Sequence, residues 1–238
     1  MTVGLSAIMP KNTQMVTIVI PVLDDAVAVS TLLHSLPPDP AVDFLIVDGA
    51  QDQALDALAA GRADVTLIRA TPGRGAQMNA GARAATQPWL LFLHADSRPP
   101  TGWLDAVRHG TSDPLVVGGW FRFRLDATAC QARLIERLVA LRIAVLGLAY
   151  GDQGLFVRRS TFTELGGYRE WPLMEDVDFV RRLTRAGRVV QIPLPLVTSA
   201  RRWRRDGWFR RSARNLVLLA LYFAGVSPVR LARWYDGA

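Results

Sequence analysis

Short apolar runs and segments of helical spacing alternate through the first hundred residues. Val16-Thr17-Ile18-Val19-Ile20-Pro21-Val22 is β-branched and apolar, the pattern of a strand buried on both faces. From Ala26 to Leu36 the period changes, with Val29, Leu32, Leu33 and Leu36 on one helical face and Pro37-Pro38 as the stop. Phe44-Leu45-Ile46-Val47 predicts a second buried strand, ending at Asp48-Gly49. Ala54 to Ala60 predicts a helix closed by Gly61, and Val65 to Ile68 a third strand. Pro72-Gly73-Arg74-Gly75 reads as a loop before a helix over Ala76 to Ala85. Trp89-Leu90-Leu91-Phe92-Leu93 is a fourth buried strand, cut off at His94-Ala95-Asp96 by Pro99-Pro100.

Four such alternations imply right-handed crossovers and a doubly wound, mostly parallel α/β sheet with helices on both faces. Parallel strands share one carboxyl edge, where ligands of open α/β sheets bind. Acidic residues stand at three of these strand ends, namely Asp24-Asp25, Asp48 and Asp96. Asp is common in turns, but three strand ends together favour a site. Asp96 can hold a divalent cation, and the cation a diphosphate; its alternative is to cap a helix starting near Thr101.

The second half has a different pattern. Phe121-Arg122-Phe123-Arg124-Leu125 alternates as a half-exposed strand within Val116 to Leu125. Ala129 to Leu148 reads as a long helix, Gly151-Asp152-Gln153-Gly154 as a loop, and Leu155-Phe156-Val157 as a strand. Ser160 is placed to cap a short helix that Gly166-Gly167 ends. Glu175-Asp176-Val177-Asp178 opens the next helix, where acids also suit the dipole. Val189 to Leu196 is extended and interrupted by proline, Gly207 to Ala224 is helical, and Pro228 breaks the chain before a basic tail. The simplest organisation is one domain over residues 1–205. Residues 206–238 form a helical appendage packed on the core, a partner subunit or a membrane surface.

Composition changes this picture in two ways. The chain has 238 residues and a net charge of +7; Lys11 is the only lysine, so the charge is arginine, whose planar fork suits phosphate. Arg201, Arg202, Arg204, Arg205, Arg210, Arg211 and Arg214 crowd one stretch. Cys130 stands alone, so an intrachain disulfide and a cysteine zinc site are both excluded, which fits a reducing, cytoplasmic setting. Met1 to Gln14 lacks a secretory pattern, and Leu216 to Val226 is too short to cross a bilayer core of about 30 Å.

Four ordered segments carry a resemblance: Ile20–Asp25 (IPVLDD), Leu45–Gly49 (LIVDG), Gly73–Ala82 with Phe92–Asp96 (GRGAQMNAGA, FLHAD), and Gly151–Arg159 with Leu173–Phe179 (GDQGLFVRR, LMEDVDF). Over roughly Val16 to Arg205 the chain resembles family-2 glycosyltransferases of the GT-A fold. It also resembles the bacterial subgroup known as arsenosugar-biosynthesis or radical-SAM/selenodomain-associated glycosyltransferases. The resemblance implies transfer of a sugar from a nucleotide-diphospho-sugar to a hydroxyl acceptor, with inversion and a divalent cation, Mn or Mg. It places Pro21 to Asp24 and Asp48 at the nucleoside, Asp96 on the metal, and Asp176 of the Glu175-Asp176 pair as the base that deprotonates the acceptor. Asp152 and Gln153 would touch the donor sugar or the acceptor, and Arg202 would close over the diphosphate. Arg74, just before a helix N-terminus, suits phosphate as well.

The chain departs from the family pattern where His94 replaces an acid beside Ala95-Asp96, as a second ligand or as a hydrogen-bond donor to phosphate or sugar. It also reads Ala50-Gln51-Asp52-Gln53 after Gly49, and Asp24-Asp25 where Asn-Glu is usual. A nucleotidyltransferase is the nearest alternative, yet Val22-Leu23-Asp24-Asp25 offers neither the glycine-rich loop nor the lysine it needs. A basic module without catalysis is the third. Carboxylates converging at the sheet edge repel phosphate unless a cation intervenes, which argues against nucleic acid. Residues 201–226 could instead lie on the inner face of a membrane, with Trp208, Phe209 and the apolar stretch at the interface, or pair two copies of the chain.

Overall fold

In the computed structural model, which describes residues 16–236, every strand anticipated above joins one sheet. The reading of Met1 to Gln14 lies outside the described residues. In chain order, β1 (Val16–Val22), α1 (Ala26–Ser35), β2 (Val42–Asp48), α2 (Ala54–Ala60), β3 (Val65–Arg69), α3 (Arg74–Ala84) and β4 (Trp89–Phe92) build the parallel half. Next come β5 (Ser97–Arg98), α4 (Trp103–Gly110), β6 (Val116–Leu125), α5 (Cys130–Leu146), a single 3₁₀ turn at Gly151–Gln153, β7 (Leu155–Arg158) and α6 (Arg159–Glu164). The chain then continues through α7 (Glu175–Ala186), β8 (Arg188–Thr198), α8 (Arg201–Asp206), α9 (Trp208–Phe223) and α10 (Pro228–Asp236).

The strand order is β3-β2-β1-β4-β7-β6-β8-β5. β1 pairs in parallel with β2 and β4, and β2 with β3; β7 then runs antiparallel between β4 and β6. Side chains alternate between the two faces as a period of two requires. Ile18, Ile20, Phe44, Ile46 and Leu91 pack against α1, α2 and α4. Val19, Leu45, Val47, Leu90 and Phe92 pack against α3, α6 and α7. Burial of each such side chain contributes about 1.5–3 kcal/mol, so both faces are strongly held. Gly81 shows how close α3 lies: a Cβ there would sit 2.4 Å from Val19 Cγ1.

Four local expectations need correction. Ser160 caps nothing, because the chain runs straight from β7 into α6 with extended Arg158 at the cap position. Pro228 begins a helix rather than ending the chain's structure; proline is tolerated in a first turn, where its missing N–H has no partner to lose. Arg74 lies in the first turn of α3, not in a loop. The prolines near Val189 to Leu196 leave β8 continuous, but its register against β6 jumps from Phe121–Ile192 to Arg122–Pro195. α9 and α10 pack back on the domain through Leu218, Leu219 and Leu231 against Leu148 and Val177. Among the described residues no helix is long and apolar enough to cross a membrane.

Candidate active site

β1, β2 and β4 end side by side, and His94 and Asp96 stand in the loop that leaves β4 at that edge. The chain turns there, Ser97 N–H donating to His94 O at 3.0 Å. Ser97 then pairs with Thr198 of β8, which anchors the far side of the turn. Asp96 does not cap α4, whose cap position is held by the left-handed Gly102. It lines a cavity of about 620 Å³ instead.

Asp176 reaches the same cavity from the first turn of α7. Its Oδ2 accepts from Gly151 N–H and its Oδ1 from Val177 N–H, both at 2.8 Å. The carboxylate is therefore fixed, with lone pairs left for a substrate. Gly151 needs its small size: a Cβ would lie 3.3 Å from His94 Nε2 and 3.4 Å from Asp176 Oδ2. Met174, just before α7, is held at φ 67° and turns the chain into this position. Glu175 is 2% exposed and pairs with Arg74 Nη1 at 3.1 Å across from α3. Burial raises the Glu175 pKa, Arg74 opposes this and Asp176 adds to it. Burial works against the Arg74 charge, but Glu175 and Asp176 more than offset it.

Asp152 lines the cavity from the 3₁₀ turn, whose backbone is tied to β8 by Thr198 Oγ1 donating to Asp152 O at 2.9 Å. Its pKa rises to about 6: burial pushes it up, Asp176 and Asp96 add to that, and Arg142 and Arg74 pull against it. His94 Nε2 is buried and has no hydrogen-bond partner among the described residues. Burial, then Arg74 and Arg202, lowers the His94 pKa to about 3, so the imidazole is neutral. Among the described residues no group of three or more His, Cys, Asp or Glu side chains forms a ready-made metal cage. A magnesium-like ion does not need one, since it binds through one or two carboxylates plus substrate phosphates and water. Asp96 beside the orphaned His94 Nε2 fits that mode.

Arginines line the same cavity. Arg202 and Arg205 come from α8, and Arg210, Arg211 and Arg214 from α9, with Arg211 donating to Tyr235 Oη of α10 at 3.0 Å. Sequence reasoning singled out Arg202 and the arginine run, but not that residues 210, 211 and 214 face the cavity. Their i, i+3 and i+4 spacing on one helical face was the available signal. Tyr150, Thr198 and Ser199 were also missed, since nothing marks them before the fold brings β8 and the 3₁₀ turn together.

Pro21, Asp24, Asp48, Ala95 and Gln153 do not line this cavity. Asp24 is exposed at the end of β1, at φ 55°. Asp48 is buried; its carboxylate accepts from Ala50 and Asp52 N–H at 2.7 Å each and pairs with Arg69. Ala95 packs against the core. Gln153 is also buried, donating to Phe121 O at 3.2 Å and accepting from Tyr150 N–H at 3.2 Å. Asp48 thus holds the turn after β2, and Gln153 the 3₁₀ turn that carries Asp152 into the cavity.

A parallel sheet with an antiparallel extension, its acidic edge facing one large cavity, is the GT-A architecture of glycosyltransferases. The glycosyl transferase family 2 model matches residues 17–144, and the chain belongs to that family. Pre-mycofactocin glycosyltransferase of Mycobacterium tuberculosis, in strains CDC 1551 / Oshkosh and ATCC 25618 / H37Rv, is 27% identical over 215 residues. That match covers 83% of this chain and 45% of the relative, so the chain spans about half the length of the curated relatives it matches. Among solved structures, the mannosyltransferase PcManGT from Pyrobaculum calidifontis, in complex with GDP-Man and Mn2+, has a TM-score of 0.65 at 20% identity. The alignment covers 92% of this chain and 69% of that one. S. aureus TarS 1-349 has a TM-score of 0.64 at 14% identity, over 91% and 68% of the two chains. The same TarS fragment in complex with UDP-GlcNAc gives 0.60 at 13%, over 78% and 58%. At these identities the likeness is one of fold.

Proposed function

We propose that the chain moves a sugar from a nucleotide-diphospho-sugar to an acceptor hydroxyl, with inversion and with a divalent cation. One observation carries this reading: Arg74, Asp96, Asp152, Asp176 and Arg202, from distant parts of the chain, line a single cavity. Family membership favours sugar transfer over the nucleotidyltransferase and the non-catalytic alternatives.

In this reading Asp176 is the base. Its two backbone hydrogen bonds hold it in place, and it takes the acceptor proton as the oxygen attacks the anomeric carbon. Glu175 orients Arg74, and Arg74 and Arg202 contact the departing diphosphate. Asp152 meets the donor sugar. Asp96, with His94 beside it, is the place for the cation, which would supply Lewis-acid neutralisation of the leaving group. Pro21, Asp24 and the Asp48 loop border the nucleoside end of the same edge, and the main chain at Ala95 joins the donor side. Exposed Phe209, Leu216, Val217 and Phe223 beside the arginines of α9 also favour peripheral contact with a lipid surface.

The test is turnover of Asp176→Asn and Asp96→Ala once a donor is found by screening. Each is expected to lose transfer by roughly 10²–10⁴-fold with an unchanged melting profile. Normal turnover in either variant would refute its assigned role.

A further inference from the structure

The 3₁₀ turn that carries Asp152 is bracketed by two left-handed glycines, Gly147 at φ 63° and Gly154 at φ 62°. Glycine leaves the backbone freest to swivel at such points, so residues 148–153 need holding. They serve the site twice: Gly151 N–H donates to Asp176 Oδ2 at 2.8 Å, and Tyr150 and Asp152 line the cavity. On the sheet side, Thr198 Oγ1 donates to Asp152 O at 2.9 Å and Gln153 Nε2 to Phe121 O at 3.2 Å.

On the helix side the same segment is held by Arg142, near the C-terminal end of α5. Its Nε donates to Leu148 O at 3.1 Å and its Nη2 to Gln153 Oε1 at 3.4 Å, while its Cζ stands 3.5 Å from the Tyr150 ring centroid. Leu148, Tyr150 and Gln153 thus rest on one guanidinium. Its planar fork allows this, with donors at the edge and the face free to lie on a ring. α5 is a firm platform, since Ala132 and Ile135 are buried against Phe123, Leu125 and Trp203. The Arg142 charge also opposes the effect of burial on the Asp152 carboxyl more than any other neighbour does. Arg142 itself stays outside the main cavity and lines the smaller groove behind Tyr150.

We propose that Arg142 is a positioning residue for sugar transfer: it fixes the turn over residues 148–153 and, through Gly151 N–H, the carboxylate of Asp176. The proposal rests on the sugar-transfer reading, in which Asp176 is the base, and adds a residue that acts on the reaction only through its neighbours.

Amide hydrogen exchange of the full chain tests the first link without any substrate. In Arg142→Met, exchange at Gly151 N–H is expected to accelerate at least about tenfold more than at Leu91 N–H in β4, because the turn loosens and the sheet does not. Release of nucleoside diphosphate from the screened donors, with Mn²⁺ present, tests the second link. There kcat is expected to fall about 10–100-fold with the donor KM unchanged, since a displaced base slows the chemical step and not binding. Arg142→Lys, which keeps the charge and a donor, is expected to recover part of both losses. Arg137→Met, on the exposed face of the same helix, is expected to change neither. If Arg142→Met does not fold, Arg142→Lys against Arg137→Met gives the same comparison, with smaller changes of the same sign. Unchanged exchange at Gly151, unchanged kcat, a loss confined to KM, or an equal loss in Arg137→Met overturns the proposal. A wild type that turns over no donor refutes the sugar-transfer reading and this proposal with it. Normal wild-type turnover matched by Arg142→Met refutes this proposal alone.

Discussion

Asp152 carries a cost that can be read from outside. Its carboxyl holds a proton to about pH 6 in the fold, against an ordinary aspartate value of 3.8. Folding therefore takes up a proton between those values, and stability falls as pH rises across that window. Asp152→Asn removes the titrating group. With chelator present, its melting temperature should gain on the wild type as pH rises from about 4.5 to about 7.5. A gain independent of pH would mean that burial and neighbouring acids do not set this pKa. At this scale the sequence was only partly legible. Asp96 could be picked out because it ends a buried strand, and Asp176 because its segment resembles the family's motif. Asp48 and Gln153 look equally polar in the sequence, and only the packed loops reveal that amides, Arg69 and Tyr150 occupy their side chains.

Elements were legible wherever periodicity was strong. The four apolar runs and the Val29-Leu32-Leu33 face fall on β1 to β4 and α1, with β2 starting two residues earlier and ending one later than its run. Boundaries failed where neighbours decide them, as at Ser160, where β7 feeds α6 directly, and at Pro228, which a first helical turn accepts. The α3–β1 contact gives a direct test of packing. Gly81→Ala places a Cβ 2.4 Å from Val19 Cγ1, and such overpacking should cost about 1–3 kcal/mol. Urea unfolding checks it: a lowered midpoint with an unchanged slope is expected. An unchanged midpoint would mean that α3 does not lie this close to β1.

At the scale of the whole molecule, convergence was foreseeable only in part and closure was not. The shared carboxyl edge of parallel strands implied that Asp24-Asp25, Asp48 and Asp96 would meet, but of these Asp96 alone lines the cavity, joined by Asp152 and Asp176 from the second half. Nothing in the periodicity told that β8 and the 3₁₀ turn would frame Asp96 and Asp176, or that α8 to α10 would fold back as an arginine wall. Leu218, Leu219 and Leu231, buried against Leu148 and Val177, hold that wall in place. The result is a cavity lined by both carboxylates and guanidinium groups. A cation and a diphosphate bound together answer both kinds of charge at once, which neither does alone.

That pairing is the central claim, and one measurement reaches it directly: calorimetric binding of a panel of nucleotide-diphospho-sugars to wild type and Asp96→Ala, with and without Mn²⁺. At least one donor should bind the wild type only when Mn²⁺ is present, and at a concentration 100 times its Kd it should stabilise the fold by about 2.7 kcal/mol. Asp96→Ala should lose that binding while remaining folded. Donor binding that is equally strong without the cation, or unchanged in Asp96→Ala, would contradict the account.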